Sequence, residues 1–263
     1  MKSNCSKCLG IYSFFGFRLP LIKKLEMIKK SGFDSTTLWW GDEIAFAEAS
    51  KDDLPAIVRD KGLYLENIHV PYNDINKLFS PVVTERNNIL NKYLGWIEDC
   101  ALYNIPIMVM HVTDGSSLPE PGKYLHESFK KIVQTAEQFE INVAIENTER
   151  NDYINFLLNE FDSDYLVFCY DSSHAQLHCC ETDILIKWNH RLATVHLSDN
   201  DGKKDRHWLP GKGIINWDKV CNNLTNYHGC LTLETFARVN TTAEKFLQQA
   251  YIQAEWIKNK IYN

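Results

Sequence analysis

The sequence predicts an α/β protein of the (β/α)8 TIM-barrel class, a single domain over residues 1–263, and three observations predict it. Short apolar, β-branched runs alternate with helical patterns from end to end, giving eight β-α units. A chain of 263 residues is about the length such a barrel needs. Several of the runs stop on a carboxylate or an imidazole, as Tyr64-Leu-Glu-Asn-Ile-His69, Ile107-Met-Val-Met-His111 and Val143-Ala-Ile-Glu146 do. Strands that end in such residues one after another suggest a shared site at the C-terminal mouth of a parallel barrel.

The elements follow in order. The first strand is expected at Leu9–Phe15, where no signal-peptide core and cleavage site can be read. A helical pattern at Leu21–Lys30 ends on lysines before Gly32, a stop signal. Thr36–Trp40 is the second strand. Asp53–Lys61 is the next helix, with Asp52 or Asp53 as its N-cap and Gly62 as its stop. Tyr64–His69, the helix Val82–Tyr103, Ile107–His111 and the helix Tyr124–Phe139 continue the alternation. Val143–Glu146, the helix Asp152–Glu160, Leu166–Asp171 and the helix Thr182–Trp188 come next. Ala193–His196, the helix Trp217–Asn226, Leu231–Glu234 and the helix Thr242–Lys260, capped by Thr242, complete the chain. No Gly-x-Gly-x-x-Gly follows the first strand, which argues against a dinucleotide-binding open sheet. Pro71–Pro81 and Leu197–Asn216 are long for barrel loops, and loops of that kind are usually functional.

Composition narrows the function classes. Hydrophobic residues make up 44% and charged residues 24%, as in ordinary globular proteins, and no apolar stretch is long enough to span a bilayer. The net charge of -6 argues against a nucleic-acid surface, although bound divalent ions would offset it. Eight scattered cysteines, including Cys5-x-x-Cys8 and the Cys179-Cys180 pair, suit a reduced cytoplasmic protein better than a disulfide scaffold. A lone Cys-x-x-Cys is weak evidence for zinc.

The chemistry gathers at the strand ends. His69, His111, Glu146, Asp171, His174, His196, Asp205, His207 and Glu234 are all metal-ligand types. His126, His178, His190 and His228 fall in predicted helices or turns and read as bystanders. A carboxylate at the end of a buried strand is costly unless something pairs it, and a metal ion explains several at once. Mixed imidazole and carboxylate donors suit zinc or manganese, with iron also compatible. Asp171-Ser-Ser-His174 puts two donors where the chain leaves a strand, and Asp205-Arg-His207 spaces two on one side of an extended loop. Trp39 and Trp40 end the second strand; one points inward, where an aromatic ring can stack on a sugar face. Gly211-Lys212-Gly213 is either a phosphate cradle or a tight turn.

These strings resemble the xylose-isomerase-like TIM-barrel superfamily over nearly the whole chain. That superfamily joins sugar and sugar-phosphate isomerases and epimerases with endonuclease IV-type AP endonucleases (family 2). The strings are His69-Val-Pro-Tyr-Asn-Asp-Ile-Asn76, Ile145-Glu-Asn147, Tyr170-Asp-Ser-Ser-His174, Val195-His-Leu-Ser-Asp-Asn-Asp201, Asp205-Arg-His-Trp-Leu-Pro-Gly-Lys-Gly213 and Leu233-Glu234. Resemblance to the epimerases implies one divalent ion on Glu146, Asp171, His196 and Glu234. Resemblance to endonuclease IV implies three ions. His69, His111 and Glu146 would hold one; Glu146, Asp171, His196 and Glu234 a second; His174, Asp205 and His207 a third.

Two departures bear on the choice. The epimerases carry a substrate-binding Arg six residues after the seventh-strand His, and Gly202 stands there. Endonuclease IV has a basic loop after its second strand, and Gly41-Asp42-Glu43-Ile44-Ala45-Phe46 is acidic. Tyr72 stands near one DNA-probing position, but Asn73-Asp74 follow it.

The expected function is therefore a metal-dependent isomerase or epimerase of a small sugar, polyol or sugar phosphate. It would act through an enediolate, with Glu146 and Glu234 moving the proton and His174 holding the reacting oxygen. Trp39, Trp40 and Lys212 are the expected substrate contacts, and one to three divalent ions the expected cofactor. A trinuclear-zinc AP endonuclease is the first alternative. A non-catalytic sugar- or metal-binding barrel is the second.

Overall fold

Eight strands close on themselves in sequence order, every neighbouring pair parallel, in a computed structural model that describes residues 8–41, 49–178, 183–238 and 240–262. The strands are β1 (Leu9–Tyr12), β2 (Ser35–Trp39), β3 (Tyr64–His69), β4 (Ile107–His111), β5 (Asn142–Glu146), β6 (Leu166–Asp171), β7 (Leu192–Leu197) and β8 (Leu231–Leu233). The barrel shuts where Leu9, Gly10 and Ile11 meet Leu231, Thr232 and Leu233. Helices α1 (Leu21–Lys30), α2 (Leu54–Asp60), α3 (Val83–Leu102), α4 (Lys123–Phe139) and α5 (Asn151–Glu160) follow the first five strands in turn. Helices α6 (Ser172–Leu177), α7 (Ile184–Trp188), α8 (Trp217–Asn223) and α9 (Ala243–Tyr262) complete the outer ring. Among the described residues no helix is long and apolar enough to cross a membrane.

The pleat divides the strand residues between two cores. Residues facing outward, such as Leu65, Ile68, Met108, Ile145, Phe168 and Val195, pack under the helices. Those facing inward on β4 to β6, namely Ile107, Val109, Ala144, Val167 and Cys169, form a smaller core inside the barrel. The inward face of the opposite half is polar, with Ser35, Thr37, Asn67, Thr194 and Thr232 all buried. A register shift between β2 and β3 sets Thr36 opposite Leu65 and Thr37 opposite Asn67, leaving Glu66 as the extra residue of a bulge.

Several element boundaries differ from the sequence expectation for local reasons. β1 stops at Tyr12 rather than Phe15, since Phe14 turns out to 56% exposure while Phe15 is buried again. β2 ends at Trp39, and Trp40 donates its backbone N–H to His69 O (2.9 Å) just beyond it. Asp53 makes no capping bond; a short 3-10 turn at Lys51–Asp53 precedes α2 instead. Thr242 does cap α9, accepting from Lys245 N at 3.3 Å. Gly32 and Gly62 end their helices at φ +105° and +73°, where a Cβ would be strained. Helix α6 was not foreseen, and α7 starts at Ile184, where Asp183 Oδ1 accepts from Leu185 N.

The cysteine expectation needs a correction. Cys8 and Cys230 form a disulfide across the β1–β8 seam, their Cα atoms 4.6 Å apart. Cys8 is thereby used, and Cys5, Cys179 and Cys180 lie outside the described residues. Cys100, Cys169 and Cys221 are free and buried.

Candidate metal centre at the barrel mouth

Strand register brings the candidate donors side by side. His111 pairs with Glu146 across β4–β5, Asp171 with His196 across β6–β7, and Trp39 with His69 across β2–β3. Glu146 follows Ala144 on the inward face of β5 and keeps 1% exposure. Its Oε2 lies 3.2 Å from His69 Nε2 and 3.7 Å from His111 Nε2. Its Oε1 lies 3.2 Å from His196 Nδ1 and 3.5 Å from His174 Nδ1. His196 Nδ1 is also 2.9 Å from Glu234 Oε2.

Three donor groups have all their ligating atoms within 4.8 Å of one another among the described residues. They are His69–His111–Glu146, Glu146–Cys169–His196 and Glu146–Asp171–His196–Glu234. Two atoms of the last set lack hydrogen-bond partners, Asp171 Oδ2 and His196 Nδ1. His196 Nδ1 is close to both glutamates, yet neither contact has hydrogen-bond geometry. Buried polar atoms normally find partners, and donors that converge on one point without bonding each other suit a cation between them. The residues present therefore fit a divalent ion.

The surroundings orient the imidazoles. His69 Nδ1 faces Val70 O at 3.0 Å, His174 Nδ1 faces Asn147 O at 2.9 Å, and His207 Nδ1 faces Glu234 O at 3.1 Å. A ring that gives Nδ1–H to a carbonyl presents Nε2 as the donor atom, the usual arrangement around metals. Asp171 caps α6, its Oδ1 accepting from His174 N at 2.6 Å, so the unforeseen helix is what places His174 over Glu146. Asn147 locks the two strand ends together, accepting from Asp171 N (2.8 Å) and donating to Asp171 O (2.9 Å).

His174, Asp205 and His207 meet around one oxygen. Asp205 Oδ2 is 3.3 Å from His174 Nε2 and 2.8 Å from His207 Nε2. They pair here rather than forming one of the sets gathered within 4.8 Å. His207 sits at φ +46°, uncommon for a residue with a Cβ, and its backbone carbonyl accepts from Phe236 N at 2.8 Å.

The charges follow from burial and neighbours. Burial pushes Asp171 up to about 7, and Glu146, Asp205 and Glu234 add to the rise against the pull of His174. Burial would raise Glu146 too, but His196, His174 and His69 together hold it well below the usual range. Glu234, likewise opposed by burial, is held down at about 2 by His196 and His207. Burial, aided by His69 and His174, takes His111 down to about 3, so it is a neutral ring able to ligate. Burial would lower His207, but Asp205 and Glu234 lift it to about 9.

His69, His111, Glu146, His174, Asp205, His207 and Glu234 line a cavity of about 500 Å³, and Asp171 and His196 lie behind that lining. Phe14, Leu19, Leu21, Leu38 and Phe236 also line it, with Lys24 among them, and Phe236 packs against His207 with ring centres 4.3 Å apart. Of the expected substrate contacts only Trp39 lines it, stacked near His69 with ring centres 5.5 Å apart. Trp40 points the other way, fully buried, its Nε1 donating to Asp99 Oδ2 at 2.8 Å. Lys212 is exposed and borders a separate hollow of about 220 Å³. The backbone of the Gly211–Gly213 turn folds onto the protein itself. It wraps the Asp199 carboxylate, which accepts from Gly211 N (2.9 Å), Ile215 N (3.1 Å) and Trp217 Nε1 (2.9 Å). A Cβ on Gly213 would run into Asn200 O and Asp199 Oδ1.

The sequence profile described as xylose isomerase-like TIM barrel matches residues 25–260. The chain belongs to this family. Its barrel also resembles proteins of known sequence or structure. An uncharacterized protein, y4fM, of Sinorhizobium fredii (strain NBRC 101917 / NGR234) is 27% identical over 253 residues, covering 80% of this chain and 79% of that one. D-psicose 3-epimerase from Clostridium cellulolyticum H10, solved with D-tagatose, superposes with a TM-score of 0.77 at 16% identity over 97% of this chain and 100% of its own. The IOLI protein, solved with a zinc atom, gives 0.77 at 18% identity over 97% and 99%. At such identities the likeness carries the fold.

Four features of this xylose isomerase-like barrel escaped the sequence reading. Tyr12, Lys24 and Phe236 line the cavity, and Asn147 ties the strands that carry the acids. Inward parity along β1 could have flagged Tyr12. The Ile145-Glu-Asn147 string was noticed only for its glutamate. Lys24 and Phe236 carried no local signal of a site.

Proposed function

We propose that this chain is a divalent-metal-dependent isomerase or epimerase of a small sugar, polyol or sugar phosphate. The observation that carries the reading is the set Glu146, Asp171, His196 and Glu234, gathered within 4.8 Å beside a cavity of about 500 Å³, with two unpartnered donor atoms. A cavity of that volume suits a small ligand. The D-psicose 3-epimerase solved with D-tagatose shares the fold and supports the substrate class.

Zinc or manganese suits the four donors, and when bound it supplies a Lewis acid that stabilises charge on adjacent hydroxyl and carbonyl oxygens. The chain's own groups do the rest. Glu146 and Glu234 are both held low by imidazoles at the cavity, so either can take a proton from the hydroxyl-bearing carbon next to the carbonyl, and the other can return one. His174 has an acceptor at each ring nitrogen, and Asp171, Asp205 and Glu146 raise it well above the usual imidazole range against burial. It is placed to hold the oxygen gaining charge by turning an N–H from Asp205 to it. Trp39 and Phe236 offer ring faces to the carbon skeleton.

One observation favours a second reading, a trinuclear phosphodiesterase acting at abasic DNA. His69, His174 and His207 all present Nε2 in the way that ligands of further ions do. The apolar wall of the cavity speaks against it, since a nucleic-acid groove needs basic groups along the phosphates. The acidic loop Gly41–Phe46, which argued the same way in sequence, lies beyond Gly41 outside the described residues.

Solvent exchange tests the proposal. In deuterated buffer, metal-loaded protein should exchange a carbon-bound proton of a small ketose or polyol-derived substrate, and a chelator should stop it. Metal-dependent nicking of abasic duplex, with no exchange across a sugar panel and near three ions per chain, would overturn it.

A further inference from the structure

We propose that the cavity takes a substrate bearing an anionic group, a carboxylate or a phosphate ester, and that Lys24 binds that group. The inference rests on the small-substrate reading above and narrows its substrate class.

The sequence of α1 already sets Lys24 apart. Leu21, Leu25 and Ile28 form its inward stripe, and Lys24 lies on that stripe at helical spacing. Lys23, Lys29 and Lys30 of the same helix are exposed, whereas Lys24 keeps only 8% of its surface. Lysine is almost never buried without a partner. Natural sequences break their own pattern in this way chiefly at functional or strained sites.

The structure shows where the charge goes. Among the described residues lining the cavity, Lys24 is the only lysine or arginine. Its Nζ lies 5.1 Å from the centre of the Phe14 ring, and Leu19, Leu21 and Leu38 line the same cavity. No described carboxylate pairs with it, while the cavity acids Glu146, Glu234 and Asp205 are matched to imidazoles. Burial pulls the ammonium below the ordinary lysine value, and no acid among the described residues restores it. A desolvated cation on an apolar wall is poorly served by neutral hydroxyls and well served by an anion, which gains a charge-assisted hydrogen bond. The cavity is therefore bipolar. Its lining combines a cluster suited to a cation and the oxygens it draws with a separate positive charge, apart from the described acids, for another part of the ligand.

The test compares a neutral ketohexose with its terminal phosphate ester and its terminal carboxylic acid, using metal-loaded full-length protein. Binding is read by calorimetry, and solvent-deuterium exchange is read in parallel. Wild type should bind at least one anionic form about tenfold or more tightly than the neutral sugar, the scale of a hydrogen bond to a charged group. Which form is preferred identifies the anion as phosphate or carboxylate. Lys24→Met should abolish the preference and Lys24→Arg should retain most of it, with metal content and thermal midpoint confirming that both variants are folded. Equal affinity for all three ligands in wild type, or a preference that survives in Lys24→Met, overturns the assignment. Loss of the preference in Lys24→Met without exchange on any substrate would leave Lys24 as the anion site and remove the isomerase reading. Exchange on the neutral sugar with no anion preference would do the reverse.

Discussion

Two glutamates are buried inside the same barrel, Glu66 on β3 and Glu146 on β5, and they live by different physics. Glu66 stands at the bulge, away from the mouth. It accepts from Thr232 Oγ1 at 2.8 Å, from Cys230 N at 3.1 Å and from Asn67 Nδ2 at 3.3 Å. Burial outweighs those bonds and pushes it up to about 7. Glu146 is as deeply buried, yet imidazoles surround it and hold it ionised. Hydroxyl and amide donors make a carboxyl comfortable; only positive charge makes a buried carboxylate permanent. Burial of an acid is thus no mark of a metal site. The company it keeps is.

The largest effect that could break this contrast is at the mouth. Glu146→Gln removes the one residue shared by all three donor groups. It should lower metal affinity by at least about 100-fold, since even partners one step behind a ligand cost 10- to 100-fold. Elemental analysis after dialysis, beside wild type and Glu66→Gln, checks it. Zinc retention in Glu146→Gln equal to that of Glu66→Gln would dissolve the distinction between the two acids.

Glu66→Gln gives the next effect, on stability. An unfolded glutamate titrates near 4.5 and the folded one near 7, so between those values the folded state binds more protons than the unfolded. Stability attributable to this group therefore falls as pH rises through that window and is flat above it. Glu66→Gln removes the dependence. It should be more stable than wild type at pH 8 by up to roughly 3 kcal/mol and close to it at pH 4. Urea unfolding at both values reads the difference. A variant that loses stability equally at both would mean that Glu66 is ionised and needed as such.

The barrel was legible because its signals are repetitive: apolar runs of strand length, lysine-ended helices, and glycines at +φ after two of them. The donors at the mouth were legible because inward parity and the ends of β3 to β7 coincide. The rest depended on shape that no local pattern encodes. Trp39 and Trp40 differ in sequence by nothing that says which faces the cavity; the end of β2 decides it. Glu66 is three residues before His69, so strict alternation sets them on opposite faces, and only the bulge brings both inside. Helix α6 hides because six residues are too few for a periodic signal, though Asp171 three places before His174 is a capping spacing. Gly211-Lys212-Gly213 reads in sequence as a phosphate cradle or a tight turn; it is a turn, and the anion it wraps is the chain's own Asp199.

Asp199 extends the contrast to a third buried acid, one satisfied mainly by backbone N–H groups and an indole. Asp199→Asn keeps the shape but replaces one acceptor oxygen with a donor facing donors. It should cost about 1–3 kcal/mol, the penalty for unsatisfied buried groups. The turn it holds leads on from Asp205 and His207, so substrate turnover should fall while the divalent metal content is unchanged. Thermal unfolding with metal analysis separates the two; loss of zinc alongside stability would tie the loop to the ion itself.

The smallest effect is expected at Lys212, in that same turn. Its backbone N–H bonds to Leu209 O at 3.1 Å, which any residue but proline can supply, and its side chain is exposed beside a hollow distinct from the cavity. Lys212→Ala should change stability by no more than about 0.5 kcal/mol, as exposed substitutions do. It should also leave the preference for an anionic ligand in place, where Lys24→Met removes it. The two lysines carry the same charge but border different cavities, and in sequence a glycine-flanked lysine looks like a phosphate site whereas one on a helix stripe looks like an error. If Lys212→Ala instead weakens phosphate-ester binding about tenfold, on the scale of a charged hydrogen bond, the turn takes part in recognition and the cavity reaches farther than its walls indicate.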